Sequence, residues 1–205
     1  MPRGKRSAPA KITATALENV ALHYLERFAS SAANLRRVLM GRVRRAADHH
    51  GSDTAEGAAL VEALILRFQQ TGLLDDRRYA EAKAASLHRR GGSRRIISGR
   101  LAQQGVADAL IGETLQELAI EAGDSDLVAA CAFIRRRRLG AYRRTGGPGA
   151  RSAGLLPPGK DKDLAALARA GFSFEIARKV LACADIAAVE ALLKDAALQK
   201  DALSS

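Results

Sequence analysis

From Ala16 onward the apolar residues return every three or four positions, the spacing that lines one face of an α-helix. Leu17, Val20, Ala21, Tyr24, Leu25 and Phe28 share the first stripe. Ala29-Ser30-Ser31 interrupts it, and Ser30 or Ser31 stands where an N-cap opens a second helix through Leu35, Val38 and Leu39. A polar break from Asp48 to Asp53 leads into a third helix. Its inward residues are Leu60, Ala63, Leu64, Phe68 and Leu73, with Gly72 as C-cap. The order then recurs. Asp75 or Asp76 caps a helix over 77–90, ended by Gly91-Gly92. Ser93 caps a shorter one with Ile97 and Leu101 inward, ended at Gly105. Residues 107–121 form the next, with Leu110, Ile111, Leu115 and Leu118. A third round runs from Asp126 to about Tyr142, resumes over 162–170 and 173–183, and a last helix covers roughly 186–198.

Self-comparison supports tandem repeats. Leu35 and Leu39 fall on Ile97 and Leu101 at a separation of 62 residues. Leu101-x-x-x-Gly105-Val106 matches Leu167-x-x-x-Gly171-Phe172 at 66, where Leu110 falls on Ile176 and Leu115 on Leu181. Three-helix units of this size bury too little alone, so the physical expectation is an elongated row of stacked units. The expected division is a disordered basic tail over 1–13, repeats over 14–74, 75–123 and 124–184, and a C-terminal helix and tail over 185–205. The Gly-, Pro- and Ser-rich stretch at about 143–161 reads as a flexible insertion in the third repeat.

Composition agrees with an all-α protein. Apolar residues make up 47% of the chain, but aromatics only 4% and Trp is absent, so the residues that favour strands are scarce. The net charge of +11 changes the picture more. Of the 33 basic residues, 25 are arginine, and they cluster. Such a balance points to a polyanionic partner, nucleic acid first, with ordinary solvated helix faces as the bland alternative. The candidate contacts are Arg36, Arg37, Arg44 and Arg45 in the first repeat, Arg89, Arg90, Arg94, Arg95 and Arg100 in the second, and Arg135 and Arg136 in the third. Arg36 and Arg100 are expected to pack their stems and point their heads outward. If corresponding helices align, the clusters form one basic stripe. Guanidinium forks suit phosphate, and with few aromatics to stack bases any contact should follow the backbone.

Catalytic chemistry finds no foothold. HExxH, CxxC, GxSxG and the phosphate-cradling GxxxxGK[ST] pattern are all absent. Asp75-Asp76 at a helix start reads as a cap rather than an acid–base pair. Asp48-His49-His50 could be imagined as metal ligands, but adjacent loop histidines are usually just solvated, and no metal is expected. Cys131 and Cys183 lie in apolar helical text and read as buried thiols of a reducing cytosol. No apolar run approaches the roughly 20 residues of a membrane span, and no apolar stretch follows the basic N-terminus as a secretion signal requires.

The string Gly72-Leu73-Leu74-Asp75-Asp76-x-x-Tyr79-Ala80 resembles the RecX family of recombinase regulators. The resemblance continues through Arg90-Gly91-Gly92-Ser93-Arg94-Arg95-Ile96, the two Leu-x-x-x-Gly motifs, Ala21-Leu22-x-Tyr24-Leu25-x-Arg27 and Ser31-x-x-x-Leu35-x-x-x-Leu39. It covers roughly residues 16–184. It implies a curved row of three-helix repeats lying in the groove of a RecA–DNA filament, limiting filament growth and strand exchange. It further implies a cytoplasmic monomer with no enzymatic activity and no cofactor, and contact with single- or double-stranded DNA in some members. The chain departs from the family at Lys83, where an aromatic is usual, and at Leu87, where an Arg is. It departs again at Ser31-x-x-Asn34, where a Glu completes the capping box. A helix-turn-helix transcription regulator built on 93–121 is the alternative. Asp108, Glu113, Glu117 and Glu121 on its would-be recognition helix count against it.

Overall fold

The computed structural model describes residues 11–51, 53–122, 125–143 and 159–203, and every regular element in them is helical. In order these are α1 (Ala14–Arg27), α2 (Ala32–His50), α3 (Thr54–Gln70), α4 (Asp76–Arg89), α5 (Arg94–Gln103), α6 (Asp108–Ala122), α7 (Ser125–Arg137), a 3-10 turn (Gly140–Tyr142), α8 (Lys160–Arg169), α9 (Phe174–Ala182) and α10 (Ile186–Leu203). Residues 1–10 of the expected N-terminal tail and most of the 143–161 insertion lie outside the described residues. Ile12 and Thr13, also expected in the tail, instead pack against the first core and cap α1, respectively. Two compact units result, one of residues 1–80 with 104–106, the other of 81–103 with 107–205.

In the first unit, side-chain caps open the helices. Thr13 accepts from the Ala16 N–H at 3.2 Å and Asp53 from that of Ala55 at 2.8 Å. Ser31, not Ser30, caps α2, accepting from Asn34 N–H. Asp48, His49 and His50 do not break α2 but form its last turn, because polar side chains do not forbid helical φ. The helix stops at Gly51, which takes φ +66°. Leu17, Leu35, Leu39, Val43, Val61, Ile65 and Phe68 fill the core. Along α3 the inward face is Val61, Leu64, Ile65 and Phe68, so Ala63 and Leu73, expected inside, are exposed. Leu74 beyond the helix end takes the buried place instead. Gly57 lets α2 and α3 cross closely, since a Cβ there would stand 2.5 Å from a Val43 methyl.

In the second unit α7 is the central element. Leu127, Ala130, Cys131, Phe133 and Ile134 join Leu167, Phe172, Val180, Leu181 and Val189 in one core, with Phe133 and Phe172 edge to face at 5.7 Å. α7 ends at Arg137 rather than near Tyr142, because Arg138 adopts φ +56° and the Leu139 N–H returns to the Ile134 carbonyl. That is the usual glycine-type helix stop, made here with an arginine. Gly91 (φ +79°) lays its backbone against α7, where a Cβ would meet Phe133 N at 2.5 Å. The buried His88 donates from Nε2 to the Ser125 carbonyl at 2.7 Å, a partner that can only accept.

Each unit contains the same joint. In the first, the Asp76 carboxylate accepts from the Ala32 N–H at 2.8 Å, and the Ser31 hydroxyl donates to the Gln104 carbonyl. In the second, Asp126 accepts from the Arg94 N–H at 2.8 Å, and Ser93 donates to the Ala170 carbonyl at 2.7 Å. Gly105 and Gly171, each one residue beyond those carbonyls, have φ +75° and +82° and press on the same helix start. A Cβ on Gly105 would collide with that of Ala33, and one on Gly171 would stand 2.7 Å from the Ser93 Oγ. The helix's own serine and an aspartate of the following helical set thus accept from its open N–H groups, and the glycine lets the turn approach closely enough to receive the serine hydroxyl. α8 holds Gly159 where α2 and α5 are preceded by serine, and it has no side-chain cap. The joint is not continued there.

Candidate partner and nucleic-acid interface

The candidate arginines fall into two groups by what they touch. On α2, Leu35, Leu39, Val43 and Ala46 face the core, helical geometry sets Arg37 and Arg44 on the opposite side, and Arg45 lies on the flank beside α1, all three exposed. Arg37 also donates to Asn34 Oδ1 at 3.3 Å. Arg36 lies on the flank and is engaged by α3. Its Nε and Nη2 donate to the two carboxylate oxygens of Glu62 at 2.6 and 2.8 Å. That two-pronged bond holds the Glu62 carboxyl below its ordinary range and lifts the Arg36 guanidinium above its own. Arg36, expected to point toward a polyanion, already has a carboxylate. Arg67 is held similarly by Glu18, at 2.5 Å.

In the second unit the candidates are freer. Arg90 donates to the Ser86 hydroxyl at 2.8 Å and Arg100 to Gln103 at 3.4 Å, both neutral partners. Arg89, Arg94, Arg95, Arg135 and Arg136 are exposed. None of these side chains has a carboxylate partner among the described residues; the Arg136 guanidinium lies over the Phe133 ring, and the backbone N–H of Arg94 donates to Asp126. The arginines do not repeat position by position. At the 62-residue separation Arg36 and Arg37 correspond to Ser98 and Gly99, whereas Arg94 and Arg95 correspond to Ala32 and Ala33. The basic clusters therefore occupy different positions along the corresponding helices.

Two further arginines come together that the sequence does not pair. Arg137, at the end of α7, and Arg169, at the end of α8, line one groove of about 370 Å³ with Phe133, Leu139, Ala166 and Ala170. The Arg136 and Arg137 guanidinium carbons lie 6.0 and 5.9 Å from the Phe133 ring centre. Arg137 stands in a visible basic run, but Arg169 lies 32 residues on, and no local spacing links the two.

Other chemistry is sparse. Among the described residues no group of three or more His, Cys, Asp or Glu is placed to hold a metal ion, and His49 and His50 simply meet edge to face at 4.6 Å. Cys131 is buried, and burial pushes the Cys183 thiol up, away from the thiolate a nucleophile needs. No described helix is long and apolar enough to cross a membrane. α6 presents Asp108, Glu113, Glu117 and Glu121 on its exposed surface, a poor match to the edges of duplex DNA.

Comparison with known proteins fits the recurring joint. Residues 75–115 match the family model described as RecX, second three-helix domain, which spans α4, α5 and most of α6. Regulatory protein RecX of Myxococcus xanthus (strain DK1622) is 42% identical over 173 residues, covering 84% of this chain and 88% of that protein. The chain belongs to the RecX family. The RecX of Agrobacterium fabrum is 36% identical over 180 residues, covering 88% of this chain and 89% of its own length. That of Halorhodospira halophila is 33% identical over 135 residues. No solved structure matches the chain. Asp76 and Gly105 of the first joint and Ser93 of the second all fall inside the matched second domain. The relatives are named as regulators, and the family places this chain among regulatory proteins.

Proposed function

We propose that the chain restrains a RecA recombinase by docking, as a monomer, on the RecA–DNA filament and so limits strand exchange. The observation that carries this reading is the set of exposed arginines of the second unit, Arg89, Arg94, Arg95, Arg135 and Arg136, left without carboxylate partners beside others that have them. A surface that merely needs solubility gains by interspersing both signs; one that meets a polyanion leaves its guanidiniums open. Membership of a family named for regulation supports the partner class. The DNA contact is to backbone phosphates, so affinity for filaments falls steeply with salt.

The test is the ATPase and strand-exchange activity of purified recombinase with the chain added below stoichiometry. Inhibition at low ratio is expected, weakened by Arg94→Glu with Arg95→Glu while circular dichroism stays helical. Full inhibition by that variant, or none by the native chain, overturns the reading.

A further inference from the structure

The groove between the ends of α7 and α8 combines two features that phosphate tracking does not need. Its floor is apolar, built from Phe133, Leu139, Ala166 and Ala170. Its rim carries Arg137 and Arg169, both exposed and neither paired with a carboxylate among the described residues. A sugar-phosphate backbone would find the cations but leave the floor uncovered. A nucleobase would find no open ring, because Phe133 is only 6% exposed, with Phe172 edge to face against it. What matches both features is a chain that carries an apolar side chain between carboxylates. A volume of about 370 Å³ has room for one or two such side chains. Guanidinium forks donate two parallel bonds to a carboxylate, and those bonds strengthen beside an apolar wall that excludes water. The turn through Arg138 is consistent with this. Its left-handed backbone, unfavourable for any residue with a Cβ, brings the chain round so that Leu139 lines the floor.

We propose that this groove is a docking site for an acidic protein segment, one apolar anchor flanked by carboxylates, with the anchor on the floor and the carboxylates on Arg137 and Arg169. The inference goes beyond filament docking and stands whichever protein supplies the segment.

The test is fluorescence anisotropy with the full chain and a labelled octapeptide holding leucine and phenylalanine at its centre and two aspartates on either side. Saturable binding is expected, and Arg137→Gln with Arg169→Gln should weaken it by about tenfold or more, as losing two charge-assisted contacts implies. Ala166→Glu, which sets a carboxylate into the floor at a half-exposed position, should abolish binding even if the double variant proves unstable. Replacing the two central apolar residues by glycine should weaken the peptide as much as replacing the aspartates by asparagine. Equal binding of the glycine-centred peptide, unchanged binding by the arginine variant, or competitive displacement by oligothymidylate would each overturn the proposal. Recombinase inhibition by the same variants is read separately, so loss of peptide binding with inhibition intact separates this site from filament docking.

Discussion

The hydroxyl of Ser93 donates to the carbonyl of Ala170, 2.7 Å away and 77 residues later in the chain, while the same oxygen accepts from the Ile96 N–H. Ser93 is thus both the cap of α5 and the clasp between α5 and the α8–α9 turn. Ser173 supplies the contrast, since it caps α9, accepting from the Ile176 N–H at 3.2 Å, and is exposed. Replacing an ordinary cap by alanine costs about 1 kcal/mol. Ser93→Ala should cost up to about that much again, because it leaves a partly buried carbonyl without its donor. Urea unfolding of the two variants measures the difference; equal losses would reduce Ser93 to a simple cap.

The joint also fixes where glycine is required. Gly105 has φ +75° and no space for a Cβ against Ala33, so Gly105→Ala combines backbone strain with overpacking and should destabilise by about 2 kcal/mol or more. Gly99, in the middle of α5, has nothing within 4 Å of a Cβ and ordinary helical geometry. Gly99→Ala should therefore stabilise by about 0.5–1 kcal/mol through helix propensity. Opposite shifts in urea midpoint are the expected result, and shifts of the same sign would contradict the account.

What could be read from the chain beforehand follows from how far each interaction reaches. Caps and core stripes obey local spacing, so Ser93 and the pairs Leu35–Ile97 and Leu39–Leu101 are legible in the sequence, and the α2 cap is narrowed to Ser30 or Ser31. Asp75 behaves as read, accepting from the Arg78 N–H of its own helix at 3.0 Å. Its neighbour Asp76 caps α2, 44 residues back, and nothing in its local context distinguishes the two aspartates. Arg36 likewise looks like an outward cation until α3 brings Glu62 to it. Period alone also left α3 ambiguous, since Ala63 and Leu64 are neighbours and only the crossing with α2 decides which is inside. The groove at Arg137 and Arg169 needed the fold, because two helix ends make it.

Asp163 shows how a repeat can be altered inside its own core. At the 66-residue separation it takes the place of Ile97, and at 62 residues Ile97 takes that of Leu35, all three buried. Here the carboxylate accepts from the Arg143 guanidinium at 2.5 Å and from the Gly140 N–H at 3.0 Å. The two partners are unequal: the Asp163 side chain is 5% exposed and that of Arg143 41%. Arg143→Ala strands a buried carboxylate and should cost about 3 kcal/mol, near the low end for a broken buried pair. Asp163→Leu restores the residue type of the other repeats and lets Arg143 turn to water, so it should cost clearly less. Thermal or urea unfolding of both decides, and a larger loss in Asp163→Leu would mean that the Gly140 contact, not the charge pair, holds the 3-10 turn.

The Arg36–Glu62 pair makes a statement about pH. Its hydrogen bonds hold the folded-state Glu62 carboxyl below its ordinary value, so folding prefers the charged form. The stabilisation is complete above the ordinary glutamate range, about pH 4.3, and is lost as pH falls through the lowered folded value. Arg36 is shifted upward from a value already far above neutrality, and it adds no pH dependence in the working range. Both side chains are about half exposed, so solvent screening limits the contribution to about 0.2–1 kcal/mol. Wild type should therefore exceed Glu62→Gln in urea midpoint at pH 7, and the gap should close as pH falls through the lowered folded value of Glu62. Added salt should narrow it at pH 7 as well. The same variant also separates structure from partner binding. Glu62→Gln weakens the hold on Arg36, so if recombinase inhibition strengthens while stability falls, Arg36 belongs with the open arginines and Glu62 restrains it. If inhibition is unchanged, the pair is a strut between α2 and α3 and nothing more.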